Sequence, residues 1–107
     1  MDREIRKGSI DILLHNLLTH RDMYGYEMVN VLKEKSNQLY EMGEGTLYPA
    51  LKRMEKKGWV TSYWKEKDQG RRKYYHLEDE GKAILEQKLE EWSRVHELIL
   101  DTSGDGK

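Results

Sequence analysis

Residues 44–58 constrain the fold more than any other stretch, because they combine an amphipathic helix pattern with residues that mark helix ends. The apolar positions recur at i, i+4 and i+7 and therefore share one face that must be buried: Leu47, Leu51 and Met54. Pro49 has no N–H and suits a first helical turn, whereas Gly58 suits a left-handed C-terminal cap. The pattern predicts a helix from about Glu44 to Lys57.

The residues that lie away from this apolar face are mostly basic. They are Thr46, Pro49, Lys52, Arg53 and Lys56. A merely solvated surface explains such a face as well as a binding surface does, so the helix alone leaves both interpretations open.

After Gly58 the hydrophobic period changes from 3.6 to 2, which is typical of β-strands. Segments 59–66 and 71–77 are rich in β-branched and aromatic residues, and the turn-forming residues 67–70 separate them. With this turn, apolar or aromatic residues face one another across the strands. The expected pairs are Val60 with Leu77, Ser62 with Tyr75, Trp64 with Lys73, and Tyr63 with Tyr74. The sequence therefore predicts a β-hairpin.

Two helices are predicted before the central one, over about Glu4–Leu18 and Tyr24–Ser36. Asp22 is a candidate N-cap for the second helix. Gly25, a poor helix residue, predicts close approach of the backbone to a neighbour. On the first helix, further apolar residues widen the hydrophobic surface and suggest contact beyond the domain's own core: Ile5, Ile12 and Leu13.

A long final helix is predicted from Glu78 or Asp79 to about Leu100. Its apolar residues recur at alternating steps of four and three, which is the pattern of a coiled-coil seam. The seam residues are Leu85, Leu89, Trp92, His96 and Ile99, with Ile84, Val95 and Leu98 beside them. At 1.5 Å per residue this helix is about 33 Å long and extends beyond a compact domain, so we expect a second copy to cover it.

The predicted organisation is therefore a mainly α fold with a small β-hairpin. Residues 1–78 form a winged helix-turn-helix domain, 79–100 a dimerisation helix and 101–107 a disordered tail. In this architecture the third helix enters the major groove of DNA, and the hairpin, or wing, lies along the backbone or in the adjoining minor groove. The basic wing residues are Lys65, Lys67, Arg71, Arg72 and Lys73.

Charge is segregated along the chain although the net charge is only −1. Residues 43–77 contain nine basic and four acidic residues, a local charge of +5, which leaves −6 on the remainder. A phosphate-facing surface needs such local concentration of one sign, because attraction depends on the local field. The low total predicts DNA binding that fades quickly as salt rises.

Several classes of protein do not fit the sequence. Cysteine is absent, which excludes disulfides and thiolate metal sites. No apolar run approaches a membrane span, and the N-terminus lacks the pattern of a secretory signal, so a cytoplasmic protein is expected. The four histidines, His15, His20, His76 and His96, show no metal-ligand spacing. No catalytic constellation or phosphate-binding glycine loop is visible, and neither an enzyme nor a cofactor is expected.

Several motifs resemble those of the PadR family of bacterial transcriptional regulators in order and spacing. They are Tyr24–Glu27, Gly45–Pro49 with Leu51 and Arg53, Gly70–Tyr75, and Glu80-Gly81. The resemblance implies sequence-specific binding to double-stranded DNA and no enzymatic activity. The complete predicted DNA-binding set is Tyr24, Thr46, Tyr48, Pro49, Lys52, Arg53, Lys56, Lys67, Arg71, Arg72 and Lys73. Family members usually have Thr where this chain has Glu78, a weaker N-cap for the last helix.

Trp92-Ser93-Arg94-Val95 is similar to multidrug-responsive family members, in which paired tryptophans line an apolar pore between two subunits. This resemblance implies a site for a planar, apolar ligand built from Trp92, Ile5, Ile12 and His96. Interface packing is the alternative role for Trp92. His96 is either a pH switch across a two-fold axis or an ordinary seam residue.

Two functional hypotheses remain. The first is a homodimeric repressor that binds an inverted repeat with half-sites about one helical turn apart. The second is a helical dimer that acts as a protein-interaction module and no longer reads DNA.

Overall fold

The computed structural model describes residues 3–67 and 70–104, with side chains from Gly8 onward. It confirms the mainly α winged helix-turn-helix architecture. The elements in chain order are α1 (Arg3–His20), β1 (Met23–Tyr24), α2 (Gly25–Lys35), α3 (Glu44–Lys56), β2 (Val60–Lys67), β3 (Gly70–Leu77) and α4 (Asp79–Ser103). Within the described residues, no helix is long and apolar enough to cross a membrane.

The hairpin has the predicted register. All four expected pairs are present: Val60 with Leu77, Ser62 with Tyr75, Trp64 with Lys73, and Tyr63 with Tyr74. The two residues at its tip, 68 and 69, lie outside the described part of the chain. The sheet also contains β1, which pairs with the outer edge of β3 to give the antiparallel order β1-β3-β2. A two-residue strand is too short to show a period, so sequence patterning did not reveal it.

The core lies where α1, α2 and α3 meet the base of the sheet. Its fully buried side chains come from every one of these elements: Leu14, Met28, Leu47, Leu51, Met54, Val60 and Leu77. The connector between α2 and α3 also contributes Tyr40 and Met42. Gly58 caps α3 with a φ of 80°, as predicted.

Two local predictions are wrong. Pro49 lies in the second turn of α3 rather than the first, so the Gly45 carbonyl has no amide donor there, and Gly45 is an exposed residue. Asp22 does not cap α2, since Tyr24 is the N-cap residue and the Glu27 carboxylate accepts its backbone N–H at 3.1 Å. Asp22 instead bonds to the wing.

The final helix differs from the prediction at both ends. Helix α4 continues to Ser103, so residues 101–103 are helical rather than part of a disordered tail, and residues 105–107 lie outside the described range. At its start, Glu78 makes no side-chain cap hydrogen bond, in line with its predicted weakness as an N-cap. The Glu78 carboxylate accepts a hydrogen bond from Thr61 instead, at 2.6 Å.

Helix α4 packs on α1, and its buried residues, Gly81 and Leu85, lie near its beginning. Leu85 is buried within the chain itself, so its predicted place at a dimer interface is wrong. Ile12 is also buried, and the expectation that it extends an outer apolar surface is wrong as well. Beyond this contact α4 is exposed, and the molecule measures 59 × 30 × 22 Å.

Candidate nucleic-acid interface

The outward face of α3 is the side of the helix opposite its buried residues. At about 100° per residue, the side opposite Leu47, Ala50, Leu51 and Met54 carries Gly45, Pro49, Lys52 and Lys56. We call these last four residues the α3 ridge. All four are exposed, and its two lysines have no ion pair within the described part of the chain. The ridge therefore presents two unpaired positive charges to solvent.

The two flanks of α3 contact different neighbours. On one flank, the Arg53 guanidinium donates to the Asp11 carboxylate of α1 at 2.7 Å. Thr46 lies on the same side and is exposed. Arg53 was predicted to contact DNA, and in this structure it links α3 to α1.

On the other flank Tyr48 lies against the start of α2, where Gly25 allows the close approach that its position predicted. A Cβ at Gly25 would lie 2.7 Å from the Tyr48 hydroxyl and 3.0 Å from Leu47 Cδ2. Glu55, also on this flank, accepts a hydrogen bond from Ser62 of β2 at 2.6 Å. These contacts hold α3 between α2 and the wing.

The two faces of the wing have different roles because side chains alternate along a strand. One face carries Val60, Tyr75 and Leu77 into the core. Farther along the same face, Trp64 is 58% exposed, and the Arg71 guanidinium lies 4.8 Å from the centre of its ring. This face therefore continues outward from the core as an aromatic and cationic surface.

The opposite face of the wing is built on stacked tyrosines. The rings of Tyr63 and Tyr74 stack at 5.7 Å, and Tyr24 meets Tyr74 edge to face at 5.4 Å. The ammonium groups of Lys65 and Lys67 lie 5.4 and 5.8 Å from the Tyr74 ring. A hydrogen bond with the Tyr74 hydroxyl raises the pKa of Lys67, so its charge is secure at any physiological pH.

Asp22 connects this wing face to the loop after α1. Its carboxylate accepts a hydrogen bond from the Tyr63 hydroxyl at 2.6 Å and lies 2.8 Å from His76 Nδ1. Burial opposes ionisation of Asp22, but the hydrogen bonds from Tyr63 and His76 hold its pKa below the ordinary value. The same bond to Asp22 raises the pKa of Tyr63 to about 12. Both wing strands are thus attached to one carboxylate.

A cleft of about 530 Å³ separates α3 from the wing, and we call it the wing cleft. It is lined by Tyr24, Gly25, Tyr26, Tyr48, Trp64, Arg71, Arg72, Lys73 and Tyr75. Five of the predicted DNA-binding residues therefore line one cavity. Among the described residues, no carboxylate lines it.

Sequence reasoning missed Tyr26 and Trp64 as members of this surface. Tyr26 is 66% exposed, immediately after the glycine that approaches Tyr48. The available signal for Trp64 was its position. Strand alternation places this large aromatic residue on the core face of the wing, but too far along the strand to reach the core.

Trp92 lies at a second cavity, of about 600 Å³, between α1, α2 and α4. The other lining residues are Ser9, Leu13, Asn16, Leu17, His20, Leu32, Lys35, Ser36 and Tyr40. Neither Ile12 nor His96 lines it, and the side chain of Ile5 lies outside the described part of the chain. Of the three predicted ligand-binding residues whose side chains the structure describes, only Trp92 lines this cavity, and its apolar walls also include Leu13, Leu17 and Leu32.

No cluster of metal-ligating side chains occurs among the residues for which positions are given. His15 is fully buried, with Nδ1 2.6 Å from the Asp11 carbonyl and Nε2 without a partner. Its ring contacts Trp59 at 5.6 Å.

Comparison with known proteins identifies relatives along nearly the whole chain. A Lysinibacillus sphaericus chain described as an uncharacterized protein is 35% identical over 97 residues, which cover 90% of this chain and 89% of that one. The negative transcriptional regulator PadR of Bacillus subtilis is 30% identical over 92 residues, 83% of this chain. The match spans only 47% of the Bacillus subtilis protein.

Solved structures agree with these relatives. A transcriptional regulator from Clostridium thermocellum superposes with a TM-score of 0.85 and 37% identity, over 92% of this chain and 96% of that one. A PadR family transcription regulator from Clostridium difficile gives a TM-score of 0.77 and 40% identity, over 90% and 99%. The model of the PadR-like family of transcriptional regulators matches residues 13–87, which include α2, α3 and the wing. The chain therefore belongs to the PadR-like family of transcriptional regulators, a family of regulators and not of enzymes.

Proposed function

We propose that this protein is a homodimeric transcriptional repressor that binds an inverted-repeat operator through α3 and the wing. The observation that carries the proposal is the α3 ridge, with exposed Lys52 and Lys56, beside a wing cleft lined by Arg71, Arg72 and Lys73. Cations on two adjacent elements match the phosphates on either side of a groove. The negative regulator among its relatives supports a repressor, and this function requires the protein in the cytoplasm with the chromosome.

The proposed dimer rests on the exposed apolar face of α4. Leu89, Trp92, Val95, Leu98 and Ile99 are each between 43% and 60% exposed on this helix. Contiguous apolar surface of this kind favours burial against a partner. A second copy is the simplest partner, since a two-fold axis would present two α3 helices to the two halves of an inverted repeat.

Fluorescence anisotropy tests the DNA-binding proposal. The purified protein is titrated against the duplex upstream of its own gene and against a scrambled duplex, at two salt concentrations. We expect the native duplex to bind at least about a hundredfold more tightly, with affinity falling as salt rises. Equal, weak binding to this duplex and the scrambled one would count against the proposal and favour the interaction-module alternative.

Matched variants assign the binding to the ridge. Lys52→Ala/Lys56→Ala removes two ridge charges, whereas the control Lys33→Ala/Lys82→Ala removes two ion-paired charges that lie on α2 and α4. We expect the ridge variant to lower affinity and flatten the salt dependence by about two counterions, and the control to change neither. A reporter gene behind the same operator tests repression in cells.

We further propose that a planar, apolar compound binds beside Trp92 and relieves repression. The cavity of about 600 Å³ at Trp92 is large enough for a drug-sized molecule, and leucines supply most of its apolar wall. A compound there would contact both the middle of α4, at Trp92, and the end of α2. Binding would thereby change the position of the two winged helix-turn-helix domains of the dimer relative to each other.

Titration with acridine orange, in the absence of DNA, tests this site. We expect quenching of tryptophan fluorescence in the wild type and much weaker quenching in Trp92→Ala. Trp64→Tyr serves as the control, because Trp64 lies in the wing cleft and not at this cavity. Equal quenching in wild type and Trp92→Ala would place the compound elsewhere.

The alternative function is a helical dimer that binds another protein and not DNA. The exposed face of α4 favours it as much as it favours dimerisation. The basic residues discriminate between the two. If changing Lys52, Arg53, Arg71 and Arg72 to Ala left dimerisation intact but abolished both repression and specific DNA binding, the interaction-module alternative would fail.

A further inference from the structure

The wing cleft contains aromatic side chains that a purely electrostatic DNA contact does not require. Trp64 is 58% exposed and Tyr26 66% exposed, and both line the cleft beside three cations. Exposing such large rings to water is unfavourable, and in a monomer an exposed aromatic surface next to charges often marks a binding site.

The position of the cleft indicates what passes through it. If α3 lies in the major groove and the wing in the adjoining minor groove, the sugar–phosphate strand between those grooves must cross the space between α3 and the wing. That space is the wing cleft, with Tyr48 of α3 on one side and Trp64 and Lys73 of the wing on the other.

The chemistry of the lining matches a sugar–phosphate strand. Arg71, Arg72 and Lys73 supply positive charge, and no carboxylate from the described residues lines the cleft. The Arg71 guanidinium lies 4.8 Å from the centre of the Trp64 ring, a cation–π contact between two residues that line the cleft. The Arg72 guanidinium is held in the same way, 5.5 Å from the Tyr24 ring.

We propose that the wing cleft of this chain holds the DNA strand between the two grooves, and that Trp64 and Tyr26 are DNA-contacting residues. The inference rests on the proposed function. Trp64 packs against a deoxyribose and positions Arg71 for the neighbouring phosphate, and Tyr26 closes the α2 side of the cleft. Contacts to sugar and phosphate carry no base information, so they strengthen binding to every sequence equally.

Trp64→Ala tests the inference by anisotropy against the native and scrambled duplexes. We expect affinity for both to fall by about tenfold, equivalent to about 1.4 kcal/mol, with the ratio between them unchanged. Trp64→Tyr, which keeps an aromatic ring, should restore most of the loss. Leu39→Ala is the matched control, because Leu39 is 66% exposed but does not line the cleft. Circular dichroism and urea unfolding verify that each variant is folded.

Tryptophan fluorescence gives an independent readout of contact. DNA should shield Trp64 from iodide quenching, and Trp64→Tyr should abolish the DNA-dependent part of the shielding. A Trp64→Ala variant that binds both duplexes as tightly as the wild type would overturn the inference and leave the proposed function intact. If Trp64→Ala lowered affinity for the native duplex only, the proposal that Trp64 contacts sugar and phosphate would be overturned. A wild type that binds neither duplex would overturn both.

Discussion

His15 is completely buried, yet it is titratable and its Nε2 has no hydrogen-bond partner among the described residues. Burial lowers its pKa below 6.5, and repulsion from Lys88 of α4 acts in the same direction, whereas Asp11 opposes the shift. The neighbouring Trp59 ring offers no acceptor, and Lys57 lies 4.7 Å from that ring. The folded protein therefore favours neutral His15.

This burial predicts lower stability in mild acid. The unfolded chain binds a proton at His15 near pH 6.5 while the folded chain does not, so stability is complete above that pH and falls as pH decreases toward the lower folded pKa. His15→Leu should flatten the decline, which for one group has a limiting slope of about 1.4 kcal/mol per pH unit. Urea unfolding from pH 7.5 to 5 measures it, with the exposed His20→Gln as control. Equal slopes in wild type and His15→Leu would contradict the prediction.

Gly25 shows a second constraint at the scale of one residue. Gly25→Ala should lower the free energy of unfolding by about 1–3 kcal/mol, because the new Cβ would press on Tyr48 and Leu47. Gly8→Ala is the matched control, since nothing lies within 4 Å of its Cβ and alanine favours the helix by up to about 1 kcal/mol. Urea unfolding of the two variants should give changes of opposite sign. A stabilising Gly25→Ala would show that Tyr48 moves freely.

The wing extends outward beyond the core residues at its base, Val60, Tyr75 and Leu77. Its outer half is exposed on both faces, and it is stabilised by stacked tyrosines, cation–π contacts and the bonds to Asp22. Exposed polar contacts of this kind contribute little to global stability. Their effect is to orient the wing relative to α3, which determines the width of the wing cleft.

Removing the Tyr63 hydroxyl should therefore loosen the wing and leave the core unchanged. We expect Tyr63→Phe to cost at most about 1 kcal/mol of global stability, because the bonded groups are largely exposed. Hydrogen exchange should be faster in the outer residues of β2 and β3 and unaltered in α3. Tyr26→Phe is the control, since the Tyr26 hydroxyl has no hydrogen-bond partner in the described ranges. Unchanged exchange in β2 and β3 would show that the tyrosine stack alone holds the wing.

The whole molecule is elongated and polarised in charge. Residues 43–77, which form α3 and the wing, carry +5, and the remaining chain, including most of α4, carries −6. A basic head attached to an acidic body orients the molecule toward DNA during approach. At the other end of the molecule, burial of the exposed apolar residues of α4 requires a partner.

The dimer prediction belongs to this scale. Ile99→Glu, in the exposed apolar face of α4, should shift the protein from dimer to monomer and weaken dimerisation by about a hundredfold or more. Glu97→Gln, on the same helix, is the control and should leave the dimer intact. Analytical ultracentrifugation measures the assembly, and the loss of paired half-sites should also weaken operator binding. A dimeric Ile99→Glu variant would move the interface away from this face.

The local periods of the sequence were sufficient for much of the fold. The apolar repeat of Leu47, Leu51 and Met54 located α3 to within one residue, and alternation gave the full hairpin register. These features depend only on neighbours along the chain and on the burial of one face. The candidate lysines of α3 were predicted for the same reason, as residues opposite a buried stripe.

The remaining features were decided by which surfaces approach one another, and no local period contains that information. Leu85 and Ile12 are buried in the folded chain, in which α1 packs on α4, and Arg53 of α3 is paired with Asp11 of α1. Two-residue β1, the bonds of Asp22 to the wing and the wing cleft arise from contacts between distant segments. The sequence alone thus determined helix α3 and the wing, whereas the tertiary structure determined the space between them.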